Sequence, residues 1–331
     1  MHITKSPMRI TFLGGGTDYE SFFKNHSGAS IFATIDKFVY VSTINQPIFV
    51  EDLYKFTYRK TEGVANFNEI EHPVVKAILN EFKWDTPINI ATMADLPESS
   101  GLGSSSAFTA ALYQNLATRK GLAMDSINLA RKAISIERQI LQEPGGWQDQ
   151  ISTVYGGLRI INFSSRSFVV SNSILDNALK EFLSTRLILI RTNLVRRDMR
   201  SADLTEKLVQ KNEYMQDLIE IVEESKRCWS LMNKLSKPEY IFEVLMQAIQ
   251  TSWKYKSKWG NHILSSEVKS IIENIESFGD MAYKLVGAGG GGFLLVAANP
   301  EVILKIKSSF ASKDYINFSL YDQGTTTVAN V

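Results

Sequence analysis

The segment Pro97-Glu98-Ser99-Ser100-Gly101-Leu102-Gly103-Ser104-Ser105-Ser106-Ala107 constrains this chain more than any other, because it joins a strand to a helix through glycines. Before it, Ile88–Met93 is apolar and β-branched and follows Pro87, as a strand would. After it, Phe108, Ala111, Leu112 and Leu116 recur at helical spacing from Ser104 to Arg119. Glycines let backbone N–H groups approach an anion, and a helix start adds unpaired donors and the positive end of its dipole. The serines add hydroxyls for phosphate or Mg²⁺. Read plainly, the same residues make a Ser/Gly loop with a serine N-cap. The chain contains no Gly-Lys pair, so the loop is not of the Walker A kind.

Two other glycine segments flank this one. Gly14-Gly15-Gly16-Thr17-Asp18 follows the apolar strand Met8–Leu13 and lacks the G-x-G-x-x-G spacing; a tight turn closed by an Asx-type hydrogen bond accounts for it equally. Gly287-Ala288-Gly289-Gly290-Gly291-Gly292 joins Lys284-Leu285-Val286 to Phe293-Leu294-Leu295-Val296. A linker would have polar flanks, so this turn brings backbone close to a ligand or to another loop. Glu137 and Asp149 form the last feature: twelve residues apart, they are separated by Pro144-Gly145-Gly146, which folds the chain back so that both acids face one pocket. Phosphoryl transfer uses one carboxylate on Mg²⁺ and another on the attacking hydroxyl.

Strands are expected at Ala29–Ile35, Phe38–Ile44, Gly157–Phe163, Phe168–Ser171 and Leu187–Arg191. Helices are expected after Asp125, near Trp147, and over Ser201–Leu235, Tyr240–Ser252 and Ser265–Ser277. The chain then closes strand–Gly turn–strand–helix–strand. Strands and helices are grouped rather than alternating, which argues for α+β. The seam falls around Ile174–Thr185, dividing the chain into 1–178 and 179–331.

With 331 residues, 44% hydrophobic, the chain can fill a large core. A net charge of +1 gives no polyanion-binding signature, so nucleic acid is not expected. The single cysteine, Cys228, excludes an intramolecular disulfide. No signal-like start and no apolar run near ~20 residues point to a cytoplasmic protein without a membrane partner.

Together the segments Pro7–Asp18, Pro97–Ala107 and Lys284–Phe293 resemble the GHMP kinases (galactokinase, homoserine kinase, mevalonate kinase, phosphomevalonate kinase), in which such motifs occur in this order. The resemblance implies a two-lobed α+β fold, ribosomal-protein-like in its N-terminal half and ferredoxin-like in its C-terminal half. It implies ATP and Mg²⁺ as cofactors. Pro97, Ser100, Gly101, Leu102, Gly103, Ser104, Ser105 and Ser106 would cradle the ATP phosphates, and Ser105 with Glu137 would hold the metal. Asp149, in Gly146-Trp147-Gln148-Asp149-Gln150, matches the family's base, and Arg9 matches the arginine beside it. Gly15, Gly16, Thr17, Asp18, Arg200, Gly289 and Gly290 would face the substrate.

Galactokinases carry Glu-His where this chain has Gly15-Gly16, a departure that speaks against galactose. Gly14-Gly15-Gly16-Thr17-Asp18, Ile35–Val41, Gln148-Asp149-Gln150, Tyr155–Leu158, Arg200-Ser201-Ala202 and Trp253–Lys258 look most like bacterial D-glycero-D-manno-heptose 7-phosphate kinases. That likeness implies phosphorylation of the anomeric hydroxyl to the 1,7-bisphosphate, with the product passed to nucleotide-activated heptose synthesis. The alternatives are a fucose-, galactose- or isoprenoid-type kinase, or a non-catalytic ATP and sugar sensor. The implied partner is a small-molecule sugar phosphate, its phosphate held among Arg196, Arg197, Arg200, Lys254, Lys256 and Lys258, with Arg200 foremost. The expected assembly is a monomer or homodimer.

Overall fold

The computed structural model describes residues 1–330 except 98, 99, 166, 193–199, 212, 261, 262 and 288, with no side-chain description at 200, 201 and 330. Its organising element is one long strand, Gly28–Asn45. His2–Leu13 pairs antiparallel with it along nearly its whole length. Its other edge is shared by three short strands: Leu158–Ser164 on residues 28–33, Leu320–Tyr321 on 34–35, and Ile88–Ala94 on 39–45. Tyr54–Thr57, Thr61–Val64, Ser167–Val170 and Thr326–Asn330 complete a nine-stranded sheet among the described residues.

Sequence patterning splits Gly28–Asn45 into two strands at Asp36-Lys37; the structure keeps one. The ladder instead steps from Thr34 opposite Arg9 to Phe38 opposite Pro7, so Ile35, Asp36 and Lys37 form a bulge. Bulges re-aim side chains and free backbone groups. Here the Arg9 backbone N–H leaves the ladder and donates to the Leu102 carbonyl at 2.8 Å.

Ser104–Arg119 packs on this sheet, as its apolar periodicity requires, with Ala111, Leu112 and Leu116 fully buried. Buried Asn115 fixes its height. Its amide donates to the His2 and Val41 carbonyls and to Thr4 Oγ1, and its oxygen accepts from Thr43 Oγ1 at 2.6 Å. Four hydrogen bonds on one buried amide leave nothing unsatisfied and pin the helix start where the Gly/Ser loop must sit.

The second sheet is four antiparallel strands in the order Tyr315–Ile316, Leu187–Arg191, Phe293–Ala298, Met281–Leu285, backed by Pro238–Lys256. The stretch expected as one helical region after residue 200 is two helices, Arg200–Gln210 and Met215–Met232. The chain's last two strands return to the first sheet. The sheets are also tied by Lys284, buried, whose ammonium donates to the Thr11 and Phe12 carbonyls at 2.8 and 3.2 Å. Burial, then nearby Lys256 and Arg9, push its pKa well below the ordinary lysine value.

Gly14 turns the chain out of the first strand with φ +114°, where an added Cβ would lie 2.2 Å from the Ala29 carbonyl oxygen and 2.3 Å from Ser30 Cα. Gly14→Ala is expected to destabilise the fold by ~3 kcal/mol, since neither strain nor backbone overlap can relax. Gly15→Ala meets nothing within 4 Å. It should change stability by no more than ~0.5 kcal/mol in the same urea titration.

Candidate active site

The candidate site grows from Arg9. Its guanidinium is buried and makes a two-point fork on Asp149: Nε to Oδ1 at 2.8 Å and Nη2 to Oδ2 at 2.6 Å. The remaining Nη1 donates to the Gly101 carbonyl at 2.6 Å. One side chain therefore fixes the orientation of a carboxylate and the height of the Gly/Ser loop together. Asp149 stays 27% exposed, in the first turn of the Gln148–Tyr155 helix, so a substrate can reach it.

Gly101 and Gly103 take positive φ, at 79° and 76°, and Gly103 caps the Ser104–Arg119 helix. Pro97, Gly101, Gly103, Ser104, Ser105 and Ser106 line a cavity of about 1160 Å³; Ser100 and Leu102 are buried behind it. The first-turn N–H groups of the helix have no intrahelical acceptors, which makes the loop an anion seat.

Glu137 was expected on an ordinary helix. The α-helix Ser126–Ile134, capped by Asp125 as the sequence suggests, instead passes into a π-turn over Ser135–Ile140 that carries Glu137. Such turns are often found at functional sites. Glu137 is 1% exposed. Its Oε2 accepts from Ser106 Oγ at 2.9 Å, Gln150 Nε2 at 2.5 Å and Arg138 Nη2 at 3.3 Å. Its Oε1 is buried without a partner among the described residues. A buried, unsatisfied carboxylate oxygen beside a phosphate-type loop fits a divalent cation that takes its other ligands from phosphates and water. The hydroxyl brought to Glu137 is that of Ser106, whereas Ser105 lies exposed on the cavity wall.

Asp18 faces the same cavity from the first glycine turn. It accepts from the Gly16 N–H at 3.0 Å and the Gln148 N–H at 3.3 Å. Gly146 crosses so close that a Cβ there would sit 1.9 Å from Asp18 Oδ2. Burial first, then the charge of Asp149, raise the Asp18 carboxyl to about 6.

Among the other expected substrate residues, Gly15 and Gly16 line the cavity. Thr17 is fully buried, its hydroxyl donating to the Gly14 and Ala29 carbonyls, and so closes the turn. Gly289 packs on Ile263, and neither it nor Gly290 is on the wall; Gly287 is. The C-terminal glycine loop presses backbone on backbone. A Cβ on Gly287 would lie 2.7 Å from the Gly101 carbonyl oxygen, and one on Gly292 would lie 2.4 Å from that of Ser100. Arg200 opens the Arg200–Gln210 helix, but its side chain, like Arg196 and Arg197, lies outside the described residues. Lys254 and Lys258 stand over the Tyr255 ring, while Lys256 reaches the cavity and donates to the Gly287 carbonyl.

Sequence reasoning missed one end of the cavity. There Tyr58, Arg59 and Lys60 come from the Tyr54–Val64 hairpin, with His72 and Phe108 beside them. His72 meets Phe56, Tyr58 and Phe108 edge-to-face, with centroids 5.2–5.3 Å apart. An aromatic wall opening on the phosphate loop suits a nucleotide base. Arg138 and Trp259, which also line the cavity, were missed as well.

Fold and site together define a class. The chain carries a GHMP kinase N-terminal domain within a fold like that of the GHMP kinases, and is an ATP-dependent kinase acting on a sugar. Residues 68–157 match the family described as GHMP kinases N terminal domain. A D-glycero-alpha-D-manno-heptose 7-phosphate kinase from Campylobacter jejuni is 26% identical over 309 residues, covering 90% of this chain and 89% of that protein. The crystal structure of a D-glycero-D-manno-heptose 1-phosphate kinase from Bacteroides thetaiotaomicron is similar, with TM-score 0.74 and 17% identity over all of both chains. So is that of Methanococcus jannaschii mevalonate kinase, with TM-score 0.70 and 19% identity over 97% of this chain and 99% of that one. Among the described residues no helix is long and apolar enough to cross a membrane.

The raised Asp18 carboxyl makes a prediction about stability. Between the ordinary 3.8 and about 6, the folded chain holds a proton that the unfolded chain has released. Stability from this group is therefore greatest at low pH and is lost as pH rises through 6. Asp18→Asn should shift the difference in unfolding free energy between pH 4.5 and 7.5 by roughly 2 kcal/mol in favour of the higher pH. Urea unfolding of both proteins at the two pH values measures it.

Proposed function

We propose that this chain transfers the γ-phosphoryl group of ATP to the anomeric hydroxyl of D-glycero-D-manno-heptose 7-phosphate, giving the 1,7-bisphosphate for nucleotide-activated heptose synthesis. The observation that carries the reading is the Arg9 fork. It holds Asp149 in the cavity and at the same time fixes the loop on which the transferred phosphate would rest.

In this reading Asp149 orients the acceptor hydroxyl and takes its proton, and Arg9 keeps the carboxylate aimed. The amides of Gly101–Ser106 hold the phosphate oxygens, with Ser104 and Ser105 lending hydroxyls from the wall. Glu137 Oε1, with Ser105 or Ser106, would hold Mg²⁺, which supplies charge neutralisation at the phosphates when bound. Catalysis by these residues is alignment in a pre-arranged field.

For the acceptor, Asp18 contributes a carboxyl to a sugar hydroxyl, and Gly15 leaves open the space into which a longer side chain would project. That space suits a seven-carbon sugar better than a hexose. Lys256 and Arg200 are the cations proposed for its phosphate. The similarity to the Campylobacter jejuni heptose 7-phosphate kinase supports the same substrate.

Asp149→Asn is expected to lower kcat by ~10²–10⁴ with little change in ATP affinity. A variant retaining more than about a tenth of kcat would remove Asp149 from the role of base. For the substrate, kcat/KM should be highest for D-glycero-D-manno-heptose 7-phosphate, ahead of galactose, fucose and unphosphorylated heptose. A free sugar outranking the 7-phosphate in that series would overturn the proposed acceptor and leave the kinase class standing.

A further inference from the structure

Arg138 has no part in the reaction as proposed, yet it is the most heavily engaged cation on the cavity wall. Its side chain is 14% exposed. Nε donates to the Gly146 carbonyl at 3.1 Å, and Nη1 donates to the carbonyls of Glu143 and Pro144 at 2.9 and 3.3 Å. Nη2 reaches Glu137 Oε2 at 3.3 Å. The guanidinium thus sits inside the turn that runs from Glu137 towards Asp149, and its donors are spread around that turn.

The turn needs such a centre. It leaves the π-turn through Gln142, a non-glycine residue at φ +52°, and passes Gly145 at φ +140°. A Cβ on Gly145 would come within 3.1 Å of Arg138 Nη2, so the chain is wrapped tightly on the guanidinium. Beyond Arg138 the turn rests on Asp18, whose carbonyl accepts from the Trp147 N–H at 3.0 Å. Its outer side receives Glu206, which accepts from the Gly145 N–H at 3.2 Å and anchors the helix carrying Ala202 and Thr205 on the cavity wall.

We propose that Arg138 is a positioning residue that sets Glu137, Asp18 and Asp149 relative to one another, so that the metal seat and the acceptor seat are tuned by one side chain. This rests on the reading of Glu137 as metal ligand and Asp149 as base. A five-donor guanidinium can serve three carbonyls and a carboxylate at once, and a lysine ammonium with three donors cannot reproduce it.

The test uses the full chain with Arg138→Lys and, as a variant that leaves the arginine in place, Gly145→Ala. Mn²⁺ binding to the ADP-loaded protein is followed by electron paramagnetic resonance. The KM values for acceptor and ATP are measured beside it, with the concentration of folded protein taken from ADP binding. Both variants should weaken Mn²⁺ binding and raise acceptor KM by about fivefold or more, with ATP KM within about twofold of wild type. Loss of kcat with Mn²⁺ and acceptor constants unchanged would make Arg138 only a structural tie and overturn the proposal. Movement of one constant alone would also overturn it, since the two seats would then not share a support. Glu137→Gln separates the underlying reading: if it leaves Mn²⁺ binding intact, the metal assignment fails and the proposal falls with it. If Glu137→Gln weakens Mn²⁺ binding while Arg138→Lys does not, the assignment stands and the positioning role is refuted.

Discussion

Everything at this site hangs on a buried arginine that would be intolerable without its partners. Taking a guanidinium out of water costs several kcal/mol unless its donors are met. Arg9 meets this with both oxygens of Asp149 and with the Gly101 carbonyl, while its backbone N–H meets Leu102. Arg9 and its partners come from different parts of the chain, a strand, a glycine loop and a short helix, separated by up to 140 residues. The desolvation that burial imposes is what forces them together, so the orientation of the Asp149 carboxylate and local stability have one physical origin.

The bulge in Gly28–Asn45 is what makes this possible. In an unbroken ladder the Arg9 N–H would be spent on the neighbouring strand and the loop would lose its anchor. Three residues, Ile35 to Lys37, stand opposite the single Met8 and release it. Behind the loop, Asn115 sets the helix and Lys284 ties the second sheet to the carbonyls of Thr11 and Phe12, two residues beyond Arg9. Apolar packing supplies most of the folding free energy, but these buried polar contacts decide the register in which the elements meet.

Much of this was legible in the sequence where a local rule applied. Ser104–Arg119 and Leu187–Arg191 have the expected bounds because periodicity and turn residues mark them from within. The Arg9–Asp149 fork and the glycine loop over Gly101 agree with the motifs that suggested them. What escaped was set by contacts distant in the chain. A bulge has no composition of its own, so Asp36-Lys37 reads as a break. A π-turn differs from an α-helix only in its hydrogen bonds, so Glu137 reads as helical. Ser105 and Ser106 are adjacent and chemically alike, and only the packed helix decides which hydroxyl reaches Glu137. Tyr58, Arg59, Lys60 and His72 carry no periodic signal; a hairpin tip and a helix start meet there through aromatic packing, the Lys60–Glu71 ion pair and the Glu71 N–H donated to Glu62.

The glycines show why three separate motifs belong to one site. Gly287 and Gly292 admit the carbonyls of Gly101 and Ser100, and Gly146 admits the carboxyl of Asp18. In each pair a carbonyl or carboxyl group lies where the glycine's side chain would otherwise be. The loops therefore brace one another, and the donors they present cannot easily move. That rigidity has an electrostatic consequence. Asp18 and Asp149 are held in one cavity as like charges, and among the described residues the guanidinium fork is on Asp149. Asp18, buried among backbone N–H groups, has its carboxyl raised to about 6 by that burial and by the charge of Asp149. The scaffold thus gives two chemically identical groups different partners in one cavity, a guanidinium fork for Asp149 and backbone N–H groups for Asp18.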